Sequence, residues 1–156
     1  MSGRIFQISV SAGGVPKTAI SQATVTVTGL AEDHQGTPKI HGGPEKAVCL
    51  WSLEIIQQLQ QEGHRALKPG CAGENVTLAG VDWSLVVPGV QLALGPTVKL
   101  EVVSYTTPCR KNMRWFSDRR YSRINQKHHP GFSRVYGRVV QPGVITTGDT
   151  ALLITP

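Results

Sequence analysis

The sequence predicts a mainly β fold: a closed or partly open barrel with a few short helices. The 156 residues include 17 glycines and 10 prolines, which is typical of a chain with many turns. Short apolar runs recur between these turn residues, as in barrels built from short strands. We find no internal repeat and no linker, so we expect a single domain over residues 1–156.

The predicted strands follow one another along the chain, each bounded by glycine, proline or polar residues. They are Arg4–Ser9, Thr24–Thr28, Val48–Trp51, Val76–Leu78, Leu85–Val87, Val90–Leu94, Val98–Tyr105 and Ser133–Val140, with two final short strands bracketed by Pro142-Gly143 and Gly148-Asp149. In the second strand, Val25 and Val27 are predicted to share one face. In Ser133–Val140, the alternation puts Arg134, Tyr136 and Arg138 on one face.

One segment has the pattern of an α-helix. Ser52 is a suitable N-cap, apolar residues follow at positions 53, 56 and 59, and Gly63 stands where a helix would stop. A second, short helix is predicted over residues 111–116. Cys49, in the apolar run before the helix, is expected to be a core residue.

The charge of the chain predicts an anionic partner. The formal net charge is +6, and most of the excess lies in the last third. Such a patch suits a phosphate-bearing cofactor, a nucleic acid or an acidic surface. Nucleic acid is not expected, because the patch has no stacking-aromatic pattern. The sequence shows no signal peptide and no membrane span, and its three cysteines cannot all pair, so we expect a cytoplasmic protein without membrane association.

The segment Thr106-Thr107-Pro108-Cys109-Arg110 places a lone thiol at the start of the most basic stretch. Proline cannot donate to a strand ladder, so the preceding strand should end before it and leave Cys109 at the mouth. Thiolates are the reactive, metal-binding form of cysteine, and nearby cations favour them. A reactive Cys109 and an ordinary buried Cys109 are both compatible with this pattern.

Several further residues are candidates for binding an anion. Adjacent glycines in His41-Gly42-Gly43 can form a backbone nest for an anion, or simply a tight turn. A second glycine-rich corner carries Gly73-Glu74-Asn75. Lys17 could bind an anion or be a solvated turn lysine, and Arg134 could point to a ligand or to solvent. His128-His129 is interpreted as a polar loop rather than a metal site.

In their order, these motifs resemble the MOSC family, the domains related to the carboxy-terminal part of molybdenum-cofactor sulfurases. The residues that carry the resemblance are Gly29-Leu30, Asp33, His41-Gly42-Gly43, Ala47-Val48, Gly70, Gly73-Glu74-Asn75, Pro108-Cys109, Ser133-Arg134, Tyr136 and Gly148-Asp149. The resemblance runs from about Pro16 to Leu153 and implies a mostly β, barrel-like domain.

The resemblance also implies a function. Relatives include amidoxime-reducing proteins in which the corresponding cysteine ligates molybdenum, so Cys109 is the candidate metal ligand and catalytic residue. The molybdenum cofactor (molybdopterin) would be held by residues of the matching motifs, which are Lys17, His41, Gly42, Gly43, Asn75 and Arg134. The expected activity is a two-electron reduction of an N-hydroxylated small-molecule substrate.

The electrons for this reduction would have to come from another protein. The sequence has no motif for a flavin, a nicotinamide or an iron–sulfur cluster, so an external electron-donor protein is expected. It also has no aminotransferase-like segment that could release sulfur. The alternative is a carrier that holds a persulfide on Cys109, or that passes the cofactor to a delivery partner. Whether Cys71 assists Cys109 is left open.

Overall fold

The computed structural model describes residues 2–11, 15–33 and 43–154. Within these ranges the chain forms eleven strands. They are β1 (Ser2–Val10), β2 (Thr18–Ile20), β3 (Gln22–Thr26), β4 (Gly29–Leu30), β5 (Val48–Ser52), β6 (Val76–Ala79), β7 (Gln91–Leu94), β8 (Val98–Tyr105), β9 (Val135–Gln141), β10 (Gly143–Thr146) and β11 (Thr150–Ile154). The mainly β fold predicted from the sequence is confirmed.

Seven of these strands close into a barrel. Around the barrel the order is β1, β6, β5, β9, β8, β7 and β11, and β11 pairs with β1 to complete the ring. β2 extends the sheet from the far end of β1, and β10, β3 and β4 form a separate three-stranded sheet. A closed barrel leaves few unpaired strand edges, which stabilises a sheet made of short strands.

The one parallel pair of the barrel is β5 with β6, and the α-helix α1 (Leu53–Gln61) connects them. Parallel neighbours need a crossover connection, and a helix supplies it. The predicted boundaries of α1 are confirmed: the Ser52 hydroxyl accepts from the N–H of Ile55 (3.2 Å), and Gly63 adopts a positive φ of 112° just after the helix. The buried face of α1 carries Leu53, Ile56 and Leu59.

Four short 3-10 helices complete the secondary structure of the described ranges. They are Pro44–Lys46, Trp83–Leu85, Arg110–Trp115 and Tyr121–Ile124. The predicted helix at 111–116 is therefore present as a 3-10 helix. The predicted strand over 85–87 is wrong, because the Asp82 carboxylate accepts from the N–H of Ser84 and starts a 3-10 turn there instead.

The prediction that Val25 and Val27 share one face of a strand is also wrong. Val25 is 2% exposed and Val27 is 57% exposed. β3 ends at Thr26, and residues 27–28 form the turn into β4, so the two-residue alternation stops before Val27. The alternating threonines at positions 24, 26 and 28 continue the strand pattern through this turn, so the pattern did not reveal it.

The core is one cluster of buried apolar side chains from the barrel strands and α1. Its largest members include Ile5, Ile8, Leu50, Trp51, Ile56, Leu59, Leu78, Leu92, Leu94 and Leu100. Two tryptophans also fix the segment that leads into β9: Trp51 Nε1 donates to the Phe132 carbonyl and Trp83 Nε1 to the Ser133 carbonyl, both at 3.1 Å. These bonds position Arg134, the next residue. No helix of the described segments is long and apolar enough to cross a bilayer.

Candidate functional site

Cys109 lies at the end of β8 and begins a short helix. β8 ends at Tyr105, three residues before Pro108, as the proline predicted. The N–H of Cys109 donates to Asn112 Oδ1 (3.3 Å), and the N–H of Asn112 donates back to the Cys109 carbonyl (2.9 Å). This reciprocal pair of bonds closes the turn around Cys109 and leaves the residue partly exposed. The thiol is thus presented on a fixed turn of the backbone.

Asn112 and Arg134 connect this turn to the glycine-rich corner. Both side chains donate to one acceptor, the Ala72 carbonyl, Asn112 through Nδ2 (3.2 Å) and Arg134 through an Nη atom (2.5 Å). Asn112 is 1% exposed, so its bonds are shielded from water. The sequence patterns gave no signal for Asn112, because its partner Ala72 lies 40 residues away.

The glycine-rich corner, residues 70–75, requires a glycine at its first position. Gly70 has φ of 88°, and a Cβ there would stand 2.7 Å from Ser9 Oγ and 2.9 Å from the Lys17 carbonyl. Its N–H donates to Glu74 Oε2 (3.0 Å). Glu74 is fully buried, and burial raises the pKa of its carboxyl to about 7. The other oxygen, Oε1, has no hydrogen-bond partner within the described part of the chain.

Asn75 joins three parts of the fold. Its Oδ1 accepts from the N–H of Cys49 (3.0 Å), and its Nδ2 donates to Asp33 Oδ2 (2.8 Å). Its backbone bonds both β5 and β1, through the Cys49 carbonyl (2.7 Å) and the N–H of Ser9 (2.8 Å). The observed bonds of Asn75 are thus structural, and its contact with a cofactor stays a prediction.

Lys17 is buried in an ion pair. Its ammonium lies 2.7 Å from Asp33 Oδ2 and 2.8 Å from Oδ1, with side-chain exposures of 7% and 6%. Asp33 also accepts from the N–H of Ser11 (2.8 Å). We call Lys17, Asp33 and Asn75 the buried network. An anion at Lys17 would have to compete with Asp33, so cofactor binding by Lys17 remains a prediction.

Arg134 is buried but incompletely satisfied. It is 4% exposed, its Nε has no hydrogen-bond partner among the described residues, and no described carboxylate lies within ion-pair distance of it. By contrast, Arg138 pairs with Glu101 at 2.8 Å near the surface. The two arginines, expected on one face, therefore have different environments. Burial raises the pKa of the Glu74 carboxyl and the Arg134 charge opposes that rise, so the two groups interact without an ion-pair contact. The unbonded Nε makes Arg134 suitable for holding an anion.

Cys49 and Tyr136 lie beside Cys109 and Arg134. Burial raises the pKa of the Cys49 thiol, whose Sγ lies 3.6 Å from Thr106 Oγ1. Burial also raises the pKa of Tyr136, and the Cys49 and Cys109 thiols both act on it in the same direction. Cys49 is buried, as predicted for a core residue, but it faces polar groups. Thr106 lies 57 residues away in sequence, so no local pattern could reveal this.

The turn before β5 also approaches this cluster. Gly43 has φ of 93° and precedes the helix Pro44–Lys46, and the Lys46 ammonium lies 5.6 Å from the centre of the Tyr136 ring. A Cβ at Gly43 would meet no atom within 4 Å, so the space beside it is open in the described structure. His41 and Gly42 lie outside the described residues. Cofactor binding by His41, Gly42 and Gly43 stays a prediction.

The surface formed by the segment after Cys109 has a cationic pocket of about 430 Å³. Its lining consists of Val15, Arg110, Lys111, Met113, Arg114 and Arg119. Arg110 follows Cys109 directly in the chain, so the lining of the pocket begins at the residue after the cysteine. The basic patch predicted from the sequence thus has a concave part at this pocket.

Comparison with known proteins identifies the family of the chain. The MOSC domain family matches residues 37–151. The uncharacterized protein YflK of Bacillus subtilis (strain 168) is 29% identical over 115 residues, which cover 74% of this chain and 51% of that protein. The chain therefore spans about half the length of this curated relative.

Two crystal structures show the same fold. YiiM from Geobacillus stearothermophilus superposes with a TM-score of 0.74 at 23% identity, covering 98% of this chain and 75% of its own. YiiM from Escherichia coli gives a TM-score of 0.73 at 20% identity, covering 100% of this chain and 71% of its own. The chain belongs to the MOSC domain family, which is associated with binding of the molybdenum cofactor.

Proposed function

We propose that this protein binds the molybdenum cofactor through Cys109 and reduces N-hydroxylated compounds with electrons from another protein. The observation that carries the proposal is the partly exposed Cys109 on a turn that Asn112 closes, with Asn112 and the buried Arg134 both bonded to the Ala72 carbonyl. The balanced reaction is R–NH–OH plus two electrons and two protons, giving R–NH₂ and water. When bound, the cofactor supplies the two-electron redox centre.

The residues present fit such a group. A thiolate is a soft ligand and suits a metal that is already bound by sulfur. Arg134 has an unused Nε donor and no carboxylate partner among the described residues, so it can donate a charge-assisted bond to the cofactor phosphate. The bond to the Ala72 carbonyl holds the guanidinium in place for this role.

The chain's own residues also shape the surroundings of the thiol. Asn112 keeps the Cys109 backbone in one conformation, because its buried amide is bonded on both sides. Pro108 and Thr106, which precede the cysteine, are buried and anchor this segment in the protein. The partly exposed position leaves room for a small substrate and for an electron-donor protein to approach.

The experiment compares two cysteine variants of protein made in a cofactor-producing host. Cys109→Ser should fold normally, because serine is nearly the same size as cysteine. It should lose molybdenum, measured by elemental analysis, because the serine hydroxyl stays protonated at neutral pH and cannot replace the thiolate as a ligand. Cys49→Ser is the matched control and should keep molybdenum, since serine can keep the contact with Thr106. Equal molybdenum content and equal turnover in Cys109→Ser and wild type would contradict the proposal.

Activity is tested with reduced viologen as electron source and benzamidoxime as substrate. The loaded protein should form benzamidine, and NADH alone should give no product. The exposed thiol also suits a second function, that of a sulfur carrier. A carrier would show no turnover but would gain the mass of one sulfur atom on Cys109 when mixed with a cysteine desulfurase.

Arg134→Gln tests the phosphate contact. It should reduce the amount of pterin retained, measured as fluorescence of the oxidised pterin released on denaturation. Arg120→Gln is the control, because Arg120 is exposed and its side chain forms no hydrogen bond with the described residues. Equal pterin in both variants would remove Arg134 from the proposed cofactor site.

A further inference from the structure

The cationic pocket contains positive charge that the described structure does not neutralise. Four of its six lining residues are cations, and none is an acid. Asp118, the carboxylate closest in sequence, accepts from the backbone N–H of Arg120 (3.0 Å) and caps a turn. Elsewhere in the described residues Lys17, Arg123 and Arg138 each have a carboxylate partner. The pocket therefore gathers four cations without a described carboxylate partner on one concave part of the surface.

Two of the four cations are held in place. The Arg114 guanidinium donates to the Val15 carbonyl (2.9 Å) and lies 4.4 Å from the centre of the Trp115 ring. Arg119 points an Nη atom at Met113 Sδ (3.2 Å) from a backbone with φ of 63°. Each of these arginines still has N–H donors to spare, because a guanidinium has five. A prepositioned guanidinium can bind an oxyanion with less loss of conformational entropy.

The other two cations are available without rearrangement. Arg110 and Lys111 are exposed, and their side chains form no hydrogen bond or ion pair with the described residues. Val15 and Met113 add apolar surface between the charges. The volume, about 430 Å³, falls within the range of roughly 300–1,000 Å³ of pockets for small molecules.

We propose that this pocket binds the oxyanionic group, a phosphate or carboxylate, of the substrate that is reduced at Cys109. The assignment rests on the proposed function for the reaction, but the anion site itself rests on the pocket. A cofactor phosphate has the same chemistry. We place the anion on the substrate because all four cations are exposed, which suits a ligand that exchanges, and because the buried Arg134 already offers a donor for the cofactor.

The first experiment measures anion binding on the full chain as purified, without any activity. Phenyl phosphate is titrated while the backbone amide signals are followed by NMR. We expect saturable shifts at residues 110–119, and binding that weakens as salt is raised. In the double variant Arg110→Gln/Lys111→Gln, the dissociation constant should rise about tenfold, which corresponds to about 1.4 kcal/mol.

The matched control removes the same charge elsewhere. Arg4 and Lys99 are exposed and lie on strands of the barrel, and Lys99 is near the end of β8 that is remote from Cys109. Arg4→Gln/Lys99→Gln should bind phenyl phosphate within twofold of wild type. Equal weakening in both double variants would mean a general charge effect and would overturn the pocket. Binding of heparin without binding of phenyl phosphate would overturn it too, in favour of a polyanion surface.

The second experiment identifies the source of the anion. Protein loaded with the molybdenum cofactor is assayed with benzamidoxime and with its 4-carboxy derivative. The ratio of the two kcat/KM values is then compared between wild type and the double variant. This ratio should favour the anionic substrate in wild type and fall about tenfold in Arg110→Gln/Lys111→Gln. An unchanged ratio together with loss of pterin would assign the anion to the cofactor and overturn the substrate assignment. Phosphate binding without any turnover would support the anion site while rejecting the reductase.

Discussion

The buried network and the cationic pocket both carry positive charge near the glycine-rich corner, yet they use it differently. In the buried network, Lys17 is bonded to both oxygens of Asp33 and is shielded from water. In the cationic pocket, Arg110 and Lys111 are exposed, and their side chains form no hydrogen bond with the described residues. All of these side chains are cations, but their burial differs. The buried charge has a structural role, whereas the exposed charges can bind a ligand.

Desolvation explains the difference. A cation moved out of water loses its hydration, and only a close, hydrogen-bonded anion compensates for that loss. Lys17 therefore comes with Asp33, and Asp33 in turn bonds Asn75 and Ser11. An exposed cation keeps its water and can exchange it for a ligand at little cost. Arg134 is intermediate, since it is buried like Lys17 but has no described carboxylate partner.

The largest expected effect comes from breaking the buried network. Asp33→Asn leaves the Lys17 ammonium buried without its anion, so the free energy of unfolding should fall by about 3–5 kcal/mol. Unfolding in urea measures this change in the free energy of unfolding. Glu62→Gln is the control, because it breaks the more exposed pair with Arg123 and should cost at most about 1 kcal/mol.

A second substitution sharpens this prediction. Lys17→Met in the Asp33→Asn background removes the unpaired charge, so it should restore part of the lost stability. If Asp33→Asn costs no more than Glu62→Gln, the buried network is not the structural element described above.

The next effect concerns Glu74, a buried acid whose pKa burial raises to about 7 from an ordinary 4.5. Between these values the unfolded chain has lost the proton and the folded chain has kept it, so stability falls as pH rises through this window. One pKa unit is worth about 1.4 kcal/mol, which makes the total loss roughly 3 kcal/mol between pH 4 and pH 8. Glu74→Gln should lack this loss.

The measurement is the difference in unfolding free energy between Glu74→Gln and wild type at several pH values. It should shift in favour of the variant as pH rises from 4 to 8, and other titrating groups cancel in the difference. Glutamine can still accept from the N–H of Gly70, so the corner should be retained. Parallel pH profiles for the two proteins would show that Glu74 is already ionised in the fold.

The smallest effect is a difference in thiol reactivity. Cys109 is partly exposed, whereas burial raises the pKa of Cys49 and raises that of Cys71 to about 12. Iodoacetamide should therefore label Cys109 at least about tenfold faster than the other two at pH 8, since the thiolate is the nucleophile. Peptide mass mapping over time gives the rates, and urea-unfolded protein provides the control. Labelling of Cys49 as fast as Cys109 would contradict the described burial.

Local sequence patterns predicted most of the secondary structure, because strands and helices depend on the spacing of near neighbours. The α1 boundaries followed from Ser52 and Gly63, and the end of β8 followed from Pro108. The prediction failed for Val27 and for residues 85–87, where short polar side chains favour a turn over the expected strand.

The sequence by itself determined the mainly β class, the family resemblance and Cys109 as the leading candidate. Only the tertiary structure showed that Lys17 is paired with Asp33, that Asn112 and Arg134 share the Ala72 carbonyl, and that Cys49 faces Thr106. These partners are 16 to 62 residues apart in the chain. Barrel closure brings them together, and burial then determines which charges must be paired inside the protein and which remain available to a ligand.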